Sequence, residues 1–146
     1  MQTDQGQTDE DAILALMLEY CDSIDRGDLA GCAALFEQGA WGIEGDLAKG
    51  SDAVKAVLDN VTLYEGKPCT RHLTSNTRIQ VNGDSADAVS CITVMQCIPG
   101  KFPLQAIFIG SYLDRFRRDP GGWLFLERKI VPDLVGDLSF HRKDMS

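Results

Sequence analysis

The segment from Asp9 to Gly27 has the pattern of an amphipathic helix with one charge on its apolar side. At the helical period of about 3.6 residues the apolar arc comprises Ile13, Leu14, Leu16, Met17, Leu18, Tyr20, Cys21 and Ile24. Asp25 falls on the same arc. A buried carboxylate needs a partner, and carboxylates held in this way are often catalytic. Alternatively, Asp25 turns outward at the helix end or caps the next helix.

Two further helices are predicted after the first, which we place over about 9–26. The second spans about 28–36 and has Asp28 as its N-terminal cap. Ser51 is the predicted cap of the third, which extends to about residue 60. Between these two helices, the alternation of Trp41 and Ile43 predicts a short strand.

From Cys69 onward the apolar period changes to two, which is typical of β-strands. Four long strands are predicted over about 69–81, 85–98, 104–118 and 123–131. Short turn sequences rich in glycine, proline and aspartate join them, so successive strands pair antiparallel. Helices followed by such a sheet predict an α+β domain with the helices on one face of the sheet.

Composition and charge narrow the possible partners of the chain. Its 146 residues, 44% of them hydrophobic, suffice for one domain. A formal net charge of −8 disfavours nucleic acid and anionic membranes, and no apolar run reaches the length of a membrane span. The five cysteines lack metal-ligand spacing, so we expect no metal and no other cofactor. The polar, acidic start does not resemble a signal peptide, which favours a cytoplasmic protein.

A second charge shares a face with apolar residues in the last predicted strand. Arg128 has the same parity as Leu124, Leu126 and Ile130. Arg128 is therefore either a counterion for Asp25 or a ligand for a substrate oxygen. The alternative is that helices cover one face of the strand and an oligomer covers the other.

His72 is the only histidine in the predicted domain, because His141 lies in the C-terminal extension. Histidine is the usual general base near neutral pH. The parity of His72 is opposite to that of Ile79 and Val81. If those two residues face the helices, His72 points inward only if a β-bulge interrupts the strand around 75–76. The alternative is a surface or structural histidine.

The segments RHLTSNTRIQVNGDSADA, GSYLDRF and GGWLFLERKIV, after the predicted helices, resemble the SnoaL-like branch of the nuclear transport factor 2-like superfamily. The resemblance covers roughly 9–131. It implies a cone in which a strongly curved antiparallel (mixed) sheet wraps three helices around a central apolar pocket. We predict a disordered tail over 1–8, this single domain over 9–131, and an extension over 132–146. Such a fold hosts several activities and does not decide the function.

The closest similarity is to the group of scytalone dehydratase, bile acid dehydratase and hexachlorocyclohexane dehydrochlorinase. The resemblance implies that Asp25 and His72 stand at the positions of a catalytic dyad. It also implies that Arg128 matches the last-strand arginine of the dehydrochlorinase. Tyr20 replaces the lysine of that enzyme and instead resembles the bile acid dehydratase.

The resulting hypothesis is a cofactor-free lyase of the dehydratase type that acts on an apolar cyclic small molecule. His72 is the predicted base, Asp25 orients it, and Tyr20 and Arg128 polarise the substrate. An isomerase or cyclase with the same proton abstraction is an alternative, and a non-catalytic binding module is another. The predicted substrate-binding walls are Trp41, Phe108 and Tyr112.

The surface of the predicted sheet and the end of the chain give two more expectations. Both parities of the third long strand carry apolar residues, which predicts a homo-oligomer, either a dimer or a trimer. Apolar residues also follow the last predicted strand, and we expect them to cover the pocket mouth: they are Leu134, Val135, Leu138 and Phe140.

Overall fold

The helical part of the chain comes first in the computed structural model, which describes residues 8–145. Within that range three α-helices are present: α1 (Asp9–Asp25), α2 (Leu29–Ala34) and α3 (Ser51–Leu58). Thr8 caps α1 through a reciprocal capping box with Asp11. Thr8 therefore belongs to the domain, and the rest of the predicted tail lies outside the described residues. None of the described helices is both long and apolar enough to cross a membrane.

The starts of the two short helices differ in their chemistry. Asp28 caps α2, as predicted, by accepting a hydrogen bond from the Gly31 amide at 2.9 Å. The predicted cap of α3 is wrong, because Ser51 is already the first helical residue. Gly50 precedes it with φ +85° and makes the turn into the helix without any side-chain cap.

The sheet of the described chain has six strands and is mixed and curved. The strands are β1 (Ala40–Ile43), β2 (Asp46–Lys49), β3 (Thr70–Asn82), β4 (Ser85–Ile98), β5 (Phe102–Asp119) and β6 (Gly122–Val135). Their order across the sheet is β2-β1-β6-β5-β4-β3, and only the contact of β1 with β6 is parallel. The predicted α+β class with a curved mixed sheet is thus confirmed.

The prediction missed one short strand and placed the end of another too early. The short edge strand β2 was not predicted, because four residues give too little alternation to recognise. The strand β6 continues to Val135, so the predicted end at 131 is too early. Pro132 lies opposite Gly110, where the register of β5 and β6 shifts, and a shift of this kind accommodates a residue without an amide hydrogen.

The first long strand contains the bulge that the position of His72 requires. The pairing of β3 with β4 shifts between Ser75 and Arg78, and Asn76 between them has φ +52°. Before the shift the even-numbered side chains point inward, and after it the odd-numbered ones do, beginning with Ile79. The prediction of a bulge here is confirmed, and it turns the His72 side chain toward the helices.

A cluster of aromatic rings fills the core between α2 and the sheet. Phe36 stacks on Phe125 with ring centroids 4.8 Å apart, and Phe116 lies at the same distance from Phe125. The Tyr20 ring packs edge-on against Phe36 at 6.0 Å. Tyr20 therefore lies between this aromatic cluster and a neighbouring cavity, which it also lines.

Candidate active site

A cavity of about 480 Å³ lies between the helices, the sheet and the C-terminal segment. This volume falls in the usual range for small-molecule sites, about 300–1,000 Å³. The cavity wall is mainly apolar and aromatic and includes Ile24, Trp41, Leu58, Val94, Phe108 and Tyr112. The three residues predicted to form the substrate-binding walls, Trp41, Phe108 and Tyr112, are among these six. The lining also contains polar side chains, namely Tyr20, His72, His141, Arg142 and Asp144.

Asp25, at the end of α1, meets His72 at the start of β3. The Oδ1 atom of Asp25 lies 2.6 Å from Nδ1 of His72, and Oδ2 accepts a 2.7 Å hydrogen bond from the His72 backbone amide. The hydroxyl of Thr70 donates a 2.8 Å hydrogen bond to Oδ1. Asp25 therefore does not turn outward at the helix end, and both of its oxygens are fixed against β3.

The contacts with β3 decide the ionisation of Asp25. Burial alone would raise the pKa of this carboxyl, because it penalises the charged form. The hydrogen bonds from the ring and amide of His72 and from the Thr70 hydroxyl, together with the positive charge that His72 carries when its ring is protonated, outweigh burial and lower the pKa of Asp25 below its ordinary value of 3.8. Asp25 is consequently a carboxylate at neutral pH although its side chain is only 10% exposed.

The ionised carboxylate fixes the tautomer of the neutral His72 ring. A carboxylate only accepts hydrogen bonds, so Nδ1 of His72 carries the proton and Nε2 keeps a free lone pair. Across the described residues, no hydrogen-bond partner of Nε2 is found, whereas the ring lines the cavity with 6% of the side chain exposed. This arrangement provides an oriented base at the cavity wall.

Arg128 is not the counterion of Asp25, because it pairs with Asp114 on the neighbouring strand β5. Its Nε and Nη2 atoms each donate a 2.8 Å hydrogen bond to one oxygen of the Asp114 carboxylate. Both side chains are fully buried. Burial opposes the charge of Arg128, but the Asp114 carboxylate outweighs it and raises the pKa of the guanidinium above its usual value.

Aromatic rings separate the buried guanidinium from the cavity. The central carbon of Arg128 lies 3.8 Å from the ring centroid of Tyr112 and 4.5 Å from that of Tyr20. Arg128 itself does not line the cavity, although both tyrosines do. Its charge therefore faces the cavity through two aromatic rings and not by direct contact.

The phenol of Tyr20 is held at the cavity wall by Trp41. The indole Nε1 of Trp41 donates a 2.9 Å hydrogen bond to the Tyr20 hydroxyl. Burial raises the pKa of Tyr20 far above its ordinary value, which the nearby Arg128 charge only partly offsets. Tyr20 is therefore a neutral phenol at neutral pH.

The sequence reasoning missed five polar residues of this region, namely Thr70, Asp114, His141, Arg142 and Asp144. Thr70 has the same parity as His72 in β3, and Asp114 has the same parity as Tyr112 and Phe116 in β5. Parity is the signal that would have found both. His141 had no such signal, because it follows β6 in irregular structure, yet its side chain lines the cavity.

The predicted C-terminal extension contributes to the cavity wall in part. Of the four apolar residues expected over the pocket mouth, Val135 and Leu138 line the cavity. Leu134 is 61% exposed and does not line it, because β6 continues through this position and turns the side chain outward. Phe140 packs on Phe102 with ring centroids 4.8 Å apart. The role of a lid stays a prediction.

In the part of the chain that the structure describes, potential metal ligands do not gather at the cavity. Within residues 8–145, no group of three or more histidine, cysteine, aspartate or glutamate side chains is placed to hold a metal ion. The five cysteines are all free thiols.

Three helices against a curved mixed sheet of six strands are the architecture of nuclear transport factor 2-like domains with a cystatin-like fold. Within this class the chain belongs to the SnoaL-like domain family, whose model matches residues 6–129. The resemblance stated from the sequence is thereby confirmed.

Several solved structures share this architecture. A scytalone dehydratase-like protein from Novosphingobium aromaticivorans is 26% identical with a TM-score of 0.74, and the match covers 93% of this chain and 91% of that one. A Mycobacterium tuberculosis protein of unknown function is also 26% identical, with a TM-score of 0.73 and coverages of 92% and 78%. LinA, a dehydrochlorinase, is 18% identical with a TM-score of 0.70 and 87% coverage of each chain, which shows a shared fold alone. No curated protein matches the chain.

Proposed function

We propose that this protein is a lyase that eliminates water, or another β-leaving group, from an apolar cyclic small molecule without using a cofactor. The observation that carries the proposal is the contact of Asp25 with Nδ1 of His72, which leaves Nε2 of the same ring unpaired at the cavity. An oriented base in an apolar cavity is what removal of a carbon-bound proton requires. The similarity to a scytalone dehydratase-like protein agrees with this choice.

In the proposed reaction, Nε2 of His72 removes a proton from the carbon next to a substrate carbonyl. The electrons of the broken C–H bond form an enolate, which then expels the leaving group from the β-carbon. The imidazolium returns its proton to that group, so a hydroxyl leaves as water and a double bond remains in the ring. The Asp25 carboxylate, 2.6 Å from Nδ1, stabilises the imidazolium while it exists.

The proposed role of Tyr20 and Arg128 is to stabilise the negative charge of the enolate. The neutral phenol of Tyr20 is a hydrogen-bond donor at the wall, and Trp41 fixes its position. Arg128 lies behind the ring with its charge 4.5 Å from the ring centroid. A fixed cation in this low-dielectric setting favours an oxyanion next to the phenol, so Arg128 acts through Tyr20.

The direct test is dehydration of 3-hydroxy-1-tetralone, an uncharged bicyclic β-hydroxyketone. Loss of water gives 1-naphthol after tautomerisation, and the fluorescence of this aromatic product makes the reaction continuous to follow. We expect His72→Ala to lower the rate by roughly 10²–10⁴-fold. Asp25→Asn should cost about as much, because members of one catalytic unit do not act additively.

A matched control is Asp22→Asn, which removes an exposed carboxylate from the same helix. This variant should keep the wild-type rate. Equal rates for wild type and His72→Ala would overturn the proposal. Binding of the probe without any turnover would assign the protein to the non-catalytic binding modules. Conversion of a β,γ-unsaturated ketone to its conjugated isomer, without dehydration of the hydroxyketone, would assign it to the isomerases.

We also propose that the protein is a homo-oligomer, either a dimer or a trimer. Supporting this, Leu73 on β3 and Val89 on β4 are about half exposed on the face of the sheet that points away from the helices. Apolar surface of this kind gains stability when a partner covers it. Light scattering at micromolar concentration should give a multiple of the 16.0 kDa chain mass, and the mass of a monomer would contradict the proposal.

A further inference from the structure

Tyr112 on β5 places a second phenol at the cavity, beside that of Tyr20. Its side chain has the inward parity of the strand, lines the cavity and is only 2% exposed. The two tyrosine rings pack edge-on, with centroids 5.6 Å apart and planes at 82°. The Arg128 guanidinium lies over the Tyr112 ring, with its central carbon 3.8 Å from the ring centroid. These neighbours hold the Tyr112 ring in a defined place.

The hydroxyl of Tyr112 has no hydrogen-bond partner among the described residues. Tyr20 is close enough to influence the pKa of Tyr112, but no contact between the two hydroxyls has the geometry of a hydrogen bond. Other unpaired side-chain atoms of the described chain are inaccessible to water, and they belong to Ser90, Gln96, Arg128 and His141. The Tyr112 hydroxyl is not one of these, so it keeps accessible surface. On a buried side chain of the cavity wall, that surface faces the cavity.

The surroundings of this hydroxyl indicate which kind of partner fits. Burial raises the pKa of Tyr112 well above its ordinary value of 10.0, the neighbouring Tyr20 adds to this effect, and the Arg128 charge offsets it only in part. Tyr112 is therefore a neutral phenol with one proton to donate. A cation next to the ring favours donation to a negatively charged oxygen, because the two charges attract across a medium of low dielectric. An oxyanion of a bound molecule is the partner that fits this place best.

We propose that Tyr112 is a further catalytic residue, whose hydroxyl donates a hydrogen bond to the same substrate oxygen as the Tyr20 hydroxyl. Two phenols then hold the oxygen that becomes negative when the enolate forms, and the guanidinium of Arg128 lies next to both rings. The substrate is accordingly a carbonyl compound whose oxygen points toward the two tyrosines. This inference rests on the proposed function, since it takes the negative oxygen to be that of the enolate.

The test measures the binding of 4-nitrophenolate, whose aromatic oxyanion stands in for the enolate oxygen, and it needs no turnover. Nitrobenzene is the reference compound, because it has the same ring and nitro group without the oxyanion. Isothermal titration calorimetry gives both dissociation constants at a pH at which 4-nitrophenol is ionised. In Tyr112→Phe, the affinity for 4-nitrophenolate relative to nitrobenzene should fall roughly tenfold to hundredfold from its wild-type value, as expected for one hydrogen bond to a charged oxygen.

Tyr64→Phe is the matched control, because it removes a phenol hydroxyl that donates to the Phe140 carbonyl, and neither of these residues lines the cavity. It should change both affinities by the same factor. An unchanged ratio in Tyr112→Phe would overturn the inference, while the dehydration assay still decides the proposed function. Failure of the wild-type protein to bind 4-nitrophenolate would overturn the inference as well.

A second measurement separates a catalytic role of the hydroxyl from a structural one. Because the Tyr112 hydroxyl is unpaired in the protein, Tyr112→Phe should leave the midpoint of thermal denaturation unchanged or slightly raised. The kcat for dehydration should fall roughly tenfold to hundredfold, whereas KM should change little, because the contact strengthens as negative charge develops on the oxygen. A lower midpoint together with a wild-type kcat would assign the hydroxyl a structural role and overturn the inference.

Discussion

Two buried polar pairs of this domain, Arg128 with Asp114 and Asp25 with His72, differ in whether one of their atoms stays unpaired beside the cavity. Arg128 and Asp114 are fully buried and joined by two 2.8 Å hydrogen bonds, and neither lines the cavity. Nη1 of Arg128 also lacks a hydrogen-bond partner among the described residues, but it is buried away from the cavity. Asp25 and His72 are slightly exposed, and one nitrogen of the His72 ring has no partner within the described part of the chain. The comparison teaches that a charge on an apolar face does not by itself mark a reactive group. A better indication of a reactive group is a side-chain atom that lines a cavity and lacks a hydrogen-bond partner.

The two pairs also predict different consequences of mutation. Removing one partner of the fully buried Arg128–Asp114 pair leaves a buried charge without a counterion, so the main effect should be on the free energy of unfolding. Removing one partner of the pair at the cavity should mainly affect the reaction. The variants below separate these effects and are ordered by the expected change in the free energy of unfolding.

Asp114→Asn should have the largest effect on stability. The asparagine keeps the shape of the side chain but leaves the fully buried Arg128 without its counterion. We expect a loss of about 3–5 kcal/mol in the free energy of unfolding, measured by urea denaturation. The exposed Asp87 on β4 provides the control, and Asp87→Asn should change stability by less than about 0.5 kcal/mol. A comparable change in both variants would contradict the structural role of the buried pair.

Asp25→Asn should have an intermediate effect on stability, about 1–3 kcal/mol at neutral pH, because the carboxylate accepts hydrogen bonds from Thr70 and His72. Since the folded-state pKa of Asp25 lies below its ordinary value of 3.8, this stabilisation is present above about pH 3.8. It is lost as the pH falls through the lower folded-state pKa. Urea denaturation over a pH series should therefore show the difference between wild type and Asp25→Asn shrinking in acid, and a difference that grows in acid would refute this assignment.

Tyr20→Phe should have the smallest effect on stability, about 1 kcal/mol, because it removes one hydrogen bond with Trp41 and keeps the ring over Arg128. The rate of dehydration should fall, but by less than in His72→Ala, since the phenol assists and does not itself take the proton. Thermal denaturation and the fluorescence assay for 1-naphthol measure the two effects. A rate as low as that of His72→Ala would instead make Tyr20 the main proton-transfer group.

The sequence predicted the elements of the fold well because their signals are local. The change from a helical period to a period of two after Cys69 gave the four long strands to within a few residues, apart from the end of β6. That end depends on the pairing of Pro132 with Gly110 across a register shift, which no single segment encodes. The parallel contact of β1 with β6 also joins distant segments and follows only from the complete sheet.

The candidate site was predictable in part for the same reason. The apolar arc of α1 singled out Asp25, and the parity conflict in β3 led to the bulge that turns His72 inward. The sequence pattern did not tell which acid pairs with Arg128, because Asp25 on the apolar arc of α1 and Asp114 on the inward parity of β5 both point toward the core. The place of His141 depends on where the C-terminal segment crosses the cavity, and this is a tertiary property.

The most direct test of the central claim isolates proton removal from the rest of the reaction. In deuterium oxide, 1-tetralone has exchangeable protons at the carbon next to its carbonyl and no leaving group, so proton NMR reports the action of the base alone. The account predicts that the wild-type protein accelerates this exchange and that His72→Ala and Asp25→Asn each reduce the acceleration by roughly 10²–10⁴-fold. Exchange that is equally fast in wild type and His72→Ala, with 1-tetralone bound to both, would contradict the claim that His72 and Asp25 form the proton-abstracting unit.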